Sequence, residues 1–200
     1  MGNIKSIELI VIGASYGGIE ALTVIFRNMS KIFKIPVIVV YHRGKESNSG
    51  YLEKYFSEYT TCKIREIEDN ESIHQGTIYI APADYHVLLE DFSSISLVLD
   101  DPVNYSRPSI DLLFISAGKI FKNHVMAVLL TGANSDGACG ISHIAGNGGY
   151  TIVQNPAEAL IPVMPQSALD ICEVDEIANL DKISEIMNQA NSCFIKEVNN

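Results

Sequence analysis

The sequence predicts an α/β protein with a doubly wound, mostly parallel sheet and an antiparallel β-hairpin at one edge. Three observations lead there. Short, nearly continuous apolar runs recur at residues 7–12 (IELIVI), 36–41 (PVIVVY) and 125–130 (VMAVLL), as strands buried on both faces of a parallel sheet require. Segments with apolar residues at helical spacing alternate with those runs. Glycine-rich turns join run to segment, at residues 13–18 and 132–137. A chain of 200 residues suits one domain with a sizeable core. The domain is expected over residues 1–192, with 193–200 as a frayed tail.

Each element can be justified in order. After the first run and its turn, Ile19, Leu22, Phe26 and Met29 recur at helical spacing. Residues 36–41 form a second strand, and Leu52, Tyr55 and Phe56 mark a short helix. Residues 62–67 and 77–80 read as two more strands. Residues 86–90 and 96–99, separated by polar Asp91, Ser93 and Ser94, form the hairpin. Pro108-Ser109 opens a helix with an N-cap serine, whose apolar face is Ile110, Leu113, Phe114, Ala117 and Phe121. Residues 125–130 are the most hydrophobic strand. A small-residue helix at 137–145, a strand at 150–154 and a helical turn or two at 165–171 follow. Asp181 caps a final helix bearing Ile183, Ile186, Met187 and Ala190.

Composition excludes some function classes. Apolar residues make up 47% of the chain and charged residues 19%, which is globular and not disordered. The net charge of −10 argues against a nucleic-acid partner, because phosphate binding needs a basic face. Cys62, Cys139, Cys172 and Cys193 form no C-x-x-C pair and lie at no zinc spacing from histidine. They read as free thiols of a cytoplasmic protein with no metal and no cofactor. No apolar run approaches a membrane span, so no direct membrane insertion is expected.

In this fold class ligands sit beyond the carboxyl ends of the strands, and three strand ends deliver chemistry. Ser15 follows the first run, His42 the second, and Asp136 follows VMAVLL within TGANSDG. A serine hydroxyl is a poor nucleophile until a base removes its proton, which a histidine does near neutral pH. A buried carboxylate then fixes the imidazole tautomer. Ser15 Oγ is therefore expected within hydrogen-bond reach of the His42 ring, with the other ring nitrogen on Asp136. The turn GASYGG also comes within one residue of the dinucleotide fingerprint G-x-G-x-x-G. Ser15 replaces its second glycine, however, and Tyr41-His42-Arg43 stands where the ribose-binding acid belongs. Each residue has a plainer role too. Ser15 or Asp136 would cap the helix that follows it, and His42 would be a solvated loop residue. His74, His86, His124 and His143 read as loop, edge or helix-surface residues.

GASYGG, YHRG, IYIAPADYHVLL, SRPSIDLLFIS, LLTGANSDGACGI and QNPAEALIPVMPQSAL occur in an order and spacing that resemble the CheB family, over residues 7–172. These are the protein-glutamate methylesterases of bacterial chemotaxis. The resemblance implies a serine hydrolase that demethylates glutamyl γ-methyl esters of methyl-accepting chemoreceptors, with glutamine deamidation as a second activity. It matches Ser15, His42 and Asp136 to the catalytic serine, histidine and aspartate. The Tyr16 N–H lies at a helix start, where it is placed to bind an oxyanion, and the resemblance makes the Ala133 N–H the second donor. Gly17 and Gly18 would let the ester approach the backbone. Arg43 and Asn134 would lie near substrate. The chain departs from the family at Tyr16, usually threonine, and at Asn134, usually glycine. It departs again in RGKESNSG after the histidine, a loop expected to touch substrate. Asparagine tolerates the positive φ that a glycine position implies. Family members usually carry an N-terminal receiver domain, absent from these residues, so the chain reads as a stand-alone esterase or a fragment, with a regulator in trans or a missing fused domain. The alternative is a catalytically weak signalling or binding module of the same fold.

Overall fold

The structure is a computed structural model, and it describes residues 2–45 and 49–198. Seven parallel strands form the main sheet in the order β10-β9-β8-β1-β2-β5-β3. They are β1 (Leu9–Ala14), β2 (Val37–Tyr41), β3 (Lys63–Glu66), β5 (Thr77–Ile80), β8 (Val125–Leu129), β9 (Tyr150–Gln154) and β10 (Glu176–Ala178). From β1 the chain winds through β2 to one side and later returns to β8 on the other. The crevice between the β1 and β8 ends is thus a topological switch point, where ligands of this fold class bind.

Strand β1 is buried along its whole length, so its side chains feed two layers. Ile10 and Ile12 face α1 (Gly18–Asn28), α2 (Tyr51–Phe56) and α6 (Leu180–Val198), through Leu22, Phe26, Phe56 and Met187. Leu9 and Val11 face α3 (Ile110–Phe121), α4 (Ala138–Gly146) and α5 (Val163–Leu169), through Phe114, Ile141 and Met164. Helices α3 and α4 pack directly on one another. A Cβ on Gly140 would lie 2.5 Å from that of Phe114, so the glycine lets the two helix starts approach.

The fold class stands, with four differences in detail. The hairpin, β6 (His86–Leu89) with β7 (Ser94–Val98), is not hydrogen-bonded to the parallel sheet. It joins β4 (Glu71–Ser72) in a separate antiparallel sheet of order β4-β7-β6, packed over the second layer by Val87, Leu89 and Ile95. The tail expected to fray from residue 193 instead continues α6 to Val198, because Phe194 is buried in the first layer and extends the apolar stripe of the helix. Helix α6 also starts at Leu180, which leaves Asp181 in the first turn, accepting from Asn28 Nδ2. The short strand β10 had no periodic signal, since three residues are too few to show one.

Candidate active site

Strand register brings the predicted residues together. Strand β1 pairs with β2 so that Ala14 lies opposite Tyr41, and the His42 N–H donates to the Ala14 carbonyl at 3.0 Å. Ser15 and His42 therefore leave the sheet side by side. On the other flank the Ser15 N–H donates to the Thr131 carbonyl at 3.0 Å, which brings the loop after β8 against the serine. Gly132 makes that approach possible, because a Cβ there would lie 2.9 Å from Ser15 Cβ and would collide with Met164.

Ser15 does not cap α1. The cap is Gly17, at φ +82°, with no side-chain bond. Gly17 and Gly18, expected to open the backbone to an ester, are packed against neighbouring side chains. A Cβ on Gly17 would lie 2.9 Å from Leu160 Cβ, and one on Gly18 would lie 2.8 Å from Ala14 Cβ. Both glycines serve the turn and its internal packing. Ser15 is half-buried, and among the described residues its Oγ makes no side-chain hydrogen bond.

Asp136 is fully buried. Its Oδ2 faces His42 Nε2 at 2.8 Å and accepts from the Ile110 N–H at 2.7 Å. Its Oδ1 accepts from Ser109 Oγ at 2.9 Å and from the Asp111 N–H at 3.1 Å. The carboxylate thus takes up the donors at the start of α3, where the helix dipole also favours an anion. Burial raises its pKa, but the His42 bond and the Ile110 and Asp111 N–H groups outweigh burial and hold it below the ordinary value. The plain capping role is excluded for α4, whose cap is Gly137 at φ +94°.

His42 is no solvated loop residue, since its side chain is 12% exposed. A carboxylate only accepts, so Nε2 carries the ring proton and Nδ1 the lone pair. The expected Asp136 contact is present. The expected Ser15 bond is not, because Nδ1 faces Ser106 Oγ at 3.5 Å. Such contacts are commonly loose before substrate binds.

Tyr16 is exposed, and among the described residues neither its N–H nor the Ala133 N–H has an acceptor. These two donors flank Ser15, one along the chain and one across the loop after β8. Asn134 does not take up positive φ. Its Oδ1 instead accepts from the Asp136 N–H and its Nδ2 donates to Ser106 Oγ, each at 3.2 Å, so the side chain closes the turn that carries Asp136. Arg43 lines a cleft of about 350 Å³ with His42, Lys45, Ser106 and Arg107. Its guanidinium is paired with Glu66 and donates to the Ala81 carbonyl, so it offers no free charge to a ligand. Residues 46–48 of the loop expected to touch substrate lie outside the described residues. Among the described residues no group of His, Cys, Asp and Glu is placed to hold a metal ion, and no helix is long and apolar enough to cross a membrane.

Sequence reasoning missed Ser106, Asp111 and His86. His86 lies on the edge strand β6, as expected, but it is fully buried. Its Nδ1 accepts from the Ser109 N–H at 3.1 Å, and its Nε2 lies 3.1 Å from the Asp101 carbonyl. The signal was the run SRPSID, in which a cap serine and a first-turn aspartate follow a proline. Read locally it shows a helix start and nothing of what the start faces.

Comparison with known proteins follows the same outline. The family model described as CheB methylesterase matches residues 10–187. A protein of Leptospira interrogans is 41% identical over 179 residues, covering 90% of this chain and 92% of its own. The Clostridium acetobutylicum protein-glutamate methylesterase/protein-glutamine glutaminase is 35% identical over 180 residues, covering 90% of this chain and 52% of its own. The crystal structure of the Thermotoga maritima CheB methylesterase catalytic domain superposes with a TM-score of 0.86 at 29% identity, covering 92% of this chain and 98% of that one.

Proposed function

Since the chain belongs to the CheB methylesterase family, we propose that it hydrolyses glutamyl γ-methyl esters of chemoreceptors, with Ser15 as nucleophile, His42 as base and Asp136 as the carboxylate that orients the ring. The observation that carries this reading is the 2.8 Å contact between His42 Nε2 and the buried Asp136 carboxylate, one residue beyond the strand end that adjoins Ser15. It leaves Nδ1 as the basic nitrogen. Ser15 Oγ turns to Nδ1 in place of Ser106 and gives up its proton there as Oγ attacks the ester carbonyl carbon. The oxyanion forms between the Tyr16 and Ala133 N–H groups, whose lack of acceptors among the described residues supports this role; one such donor contributes ~10²–10³ in rate. The imidazolium is stabilised by Asp136 across the ring. The C–O bond to the methoxy group then breaks, and methanol leaves with the proton from Nδ1. Water attacks the acyl-enzyme and passes one proton to Nδ1, which hands it to Ser15 Oγ as the acyl C–O bond breaks, and the γ-carboxyl group released gives up its remaining proton to solvent.

The same steps with ammonia leaving deamidate a glutamine side chain, the second activity in the relatives' names. The Asp136 pocket argues against a weak binding module, because a carboxylate buried with four partners is costly to keep without a use for its charge. The test is methanol release from methylated receptor by purified protein, with no metal or cofactor added. Turnover that disappears in Ser15→Ala supports the reading, and a wild type that releases no methanol overturns it.

A further inference from the structure

Asp111 is the second buried carboxylate of the site, and no step above uses it. Its Oδ1 accepts from the Gly137 N–H at 2.9 Å and from the Gly140 N–H at 2.7 Å, and its Oδ2 accepts from Asn104 Nδ2 at 3.1 Å. The arrangement is reciprocal. Asp136, just before α4, takes the donors that open α3, while Asp111, in the first turn of α3, takes the donors that open α4. Gly137 directly follows Asp136, so the bond from Asp111 clamps the peptide unit that bears the Asp136 carboxylate. Gly137 itself has no freedom to substitute, because a Cβ there would lie 2.5 Å from Leu129 Cδ1 and its φ is +94°.

We propose that Asp111 is a positioning residue for the esterase reaction, holding the 136–140 turn so that the Asp136 carboxylate stays on the His42 ring. The inference rests on the reading of function given above. A plain capping role would need only the two N–H bonds to α4. The cross-over, in which each carboxylate ties down the other's helix, makes the Asp136–His42 distance depend on Asp111. Burial, reinforced by the Asp136 charge and opposed by the two glycine N–H groups, pushes the Asp111 carboxyl up to about 6, so it is mostly an anion at neutral pH. The titratable groups around it are Asp136 and Cys139 at α4, and His42 through Asp136.

Two variants test this. In Asp111→Ala the Gly137 and Gly140 donors are orphaned and the turn is released. A displacement on the order of 1 Å costs ~10²-fold, so kcat should fall by about that factor with KM unchanged. In Asp111→Asn the amide oxygen still accepts both N–H groups, so most of that loss should be recovered. Its missing negative charge stabilises the His42 imidazolium less, so the acid limb of kcat/KM should move to lower pH. Full kcat in folded Asp111→Ala, a change confined to KM, or an asparagine variant as impaired as the alanine one overturns the proposal. If the alanine variant does not fold, the folded asparagine variant decides, and either a ~10²-fold loss of kcat or an unmoved acid limb overturns the proposal. The same shift read by NMR titration of the His42 ring proton needs no turnover. Failure of the esterase reading and failure of this one are therefore told apart.

Discussion

Replacing Asp136 by asparagine changes one atom of the site, and its cost can be worked out from the four donors around the carboxylate. An asparagine has one acceptor oxygen and one donor nitrogen. If the nitrogen took the Oδ2 position, it would face both the His42 Nε2–H and the Ile110 N–H. If it takes the Oδ1 position, the Ser109 hydroxyl can turn and accept, and only the Asp111 N–H is orphaned. The second orientation is the milder. It costs about 1–3 kcal/mol for one buried unsatisfied donor, plus up to ~2 kcal/mol for the anion lost from the start of α3. A total of about 1–5 kcal/mol does not exceed the whole stability of a typical domain, so the variant should fold, with Tm lowered by roughly 2–20 °C. Turnover should suffer far more. The amide still accepts from His42, but it no longer offers a charge to the imidazolium that forms in the reaction, and a loss of kcat near 10⁴-fold is expected. The assay pairs a thermal melt with methanol release from methylated receptor, at a temperature where the variant is folded. A variant with near wild-type kcat would refute the reasoning, and would reduce Asp136 to a cap for α3. A variant that unfolds at room temperature would show that the milder orientation is not available.

Ser15→Ala should abolish methanol release and move Tm by no more than 1–2 °C, on the order of a neutral surface change, since its Oγ makes no side-chain hydrogen bond among the described residues; a collapsed melt would mark the serine as structural. Ser106→Ala separates the two hydroxyls near His42. It should keep turnover within about threefold, and loss as deep as that of Ser15→Ala would make Ser106 the nucleophile. Gly132→Ala places a methyl against Ser15 Cβ and Met164, so it should lower kcat and destabilise by about 1–3 kcal/mol; unchanged kinetics would mean the loop after β8 is free to move off the serine. Stability against pH has opposite signs at the two buried carboxylates. Asp136, held low, contributes stability that is lost as pH falls through its folded value, below the ordinary carboxylate range. Asp111, raised to about 6, binds its proton more readily folded than unfolded, so its contribution rises as pH falls from about 6 towards 4. Melts between pH 7 and pH 4.5 should show a relative gain in the wild type that Asp111→Asn lacks, and identical slopes would contradict the raised value.

The parallel sheet, and the loops that leave its strands, are legible in the amino-acid order. An apolar run such as IELIVI reports burial on both faces whatever surrounds it, and the residue that ends such a run lies at the mouth of the crevice. Position put Ser15, His42 and Asp136 forward as candidates, each with a plainer role beside it, and the family resemblance chose between the two. Which atoms meet is settled only when the chain folds. His42 and Asp136 are 94 residues apart, and their contact depends on the register of β2 on β1 and β8 on β1. The roles of Asp111 and His86 were illegible for the same reason. A first-turn aspartate satisfies local helix chemistry in any sequence, and nothing local reveals that its acceptors point at a second helix. The tail at Phe194 and the separate sheet of the hairpin also turn on which surface lies opposite. Burial pattern is written along the chain, residue by residue. Hydrogen-bond partners are fixed only when distant segments close on one another, because a donor's acceptor is a matter of a few tenths of an ångström in space.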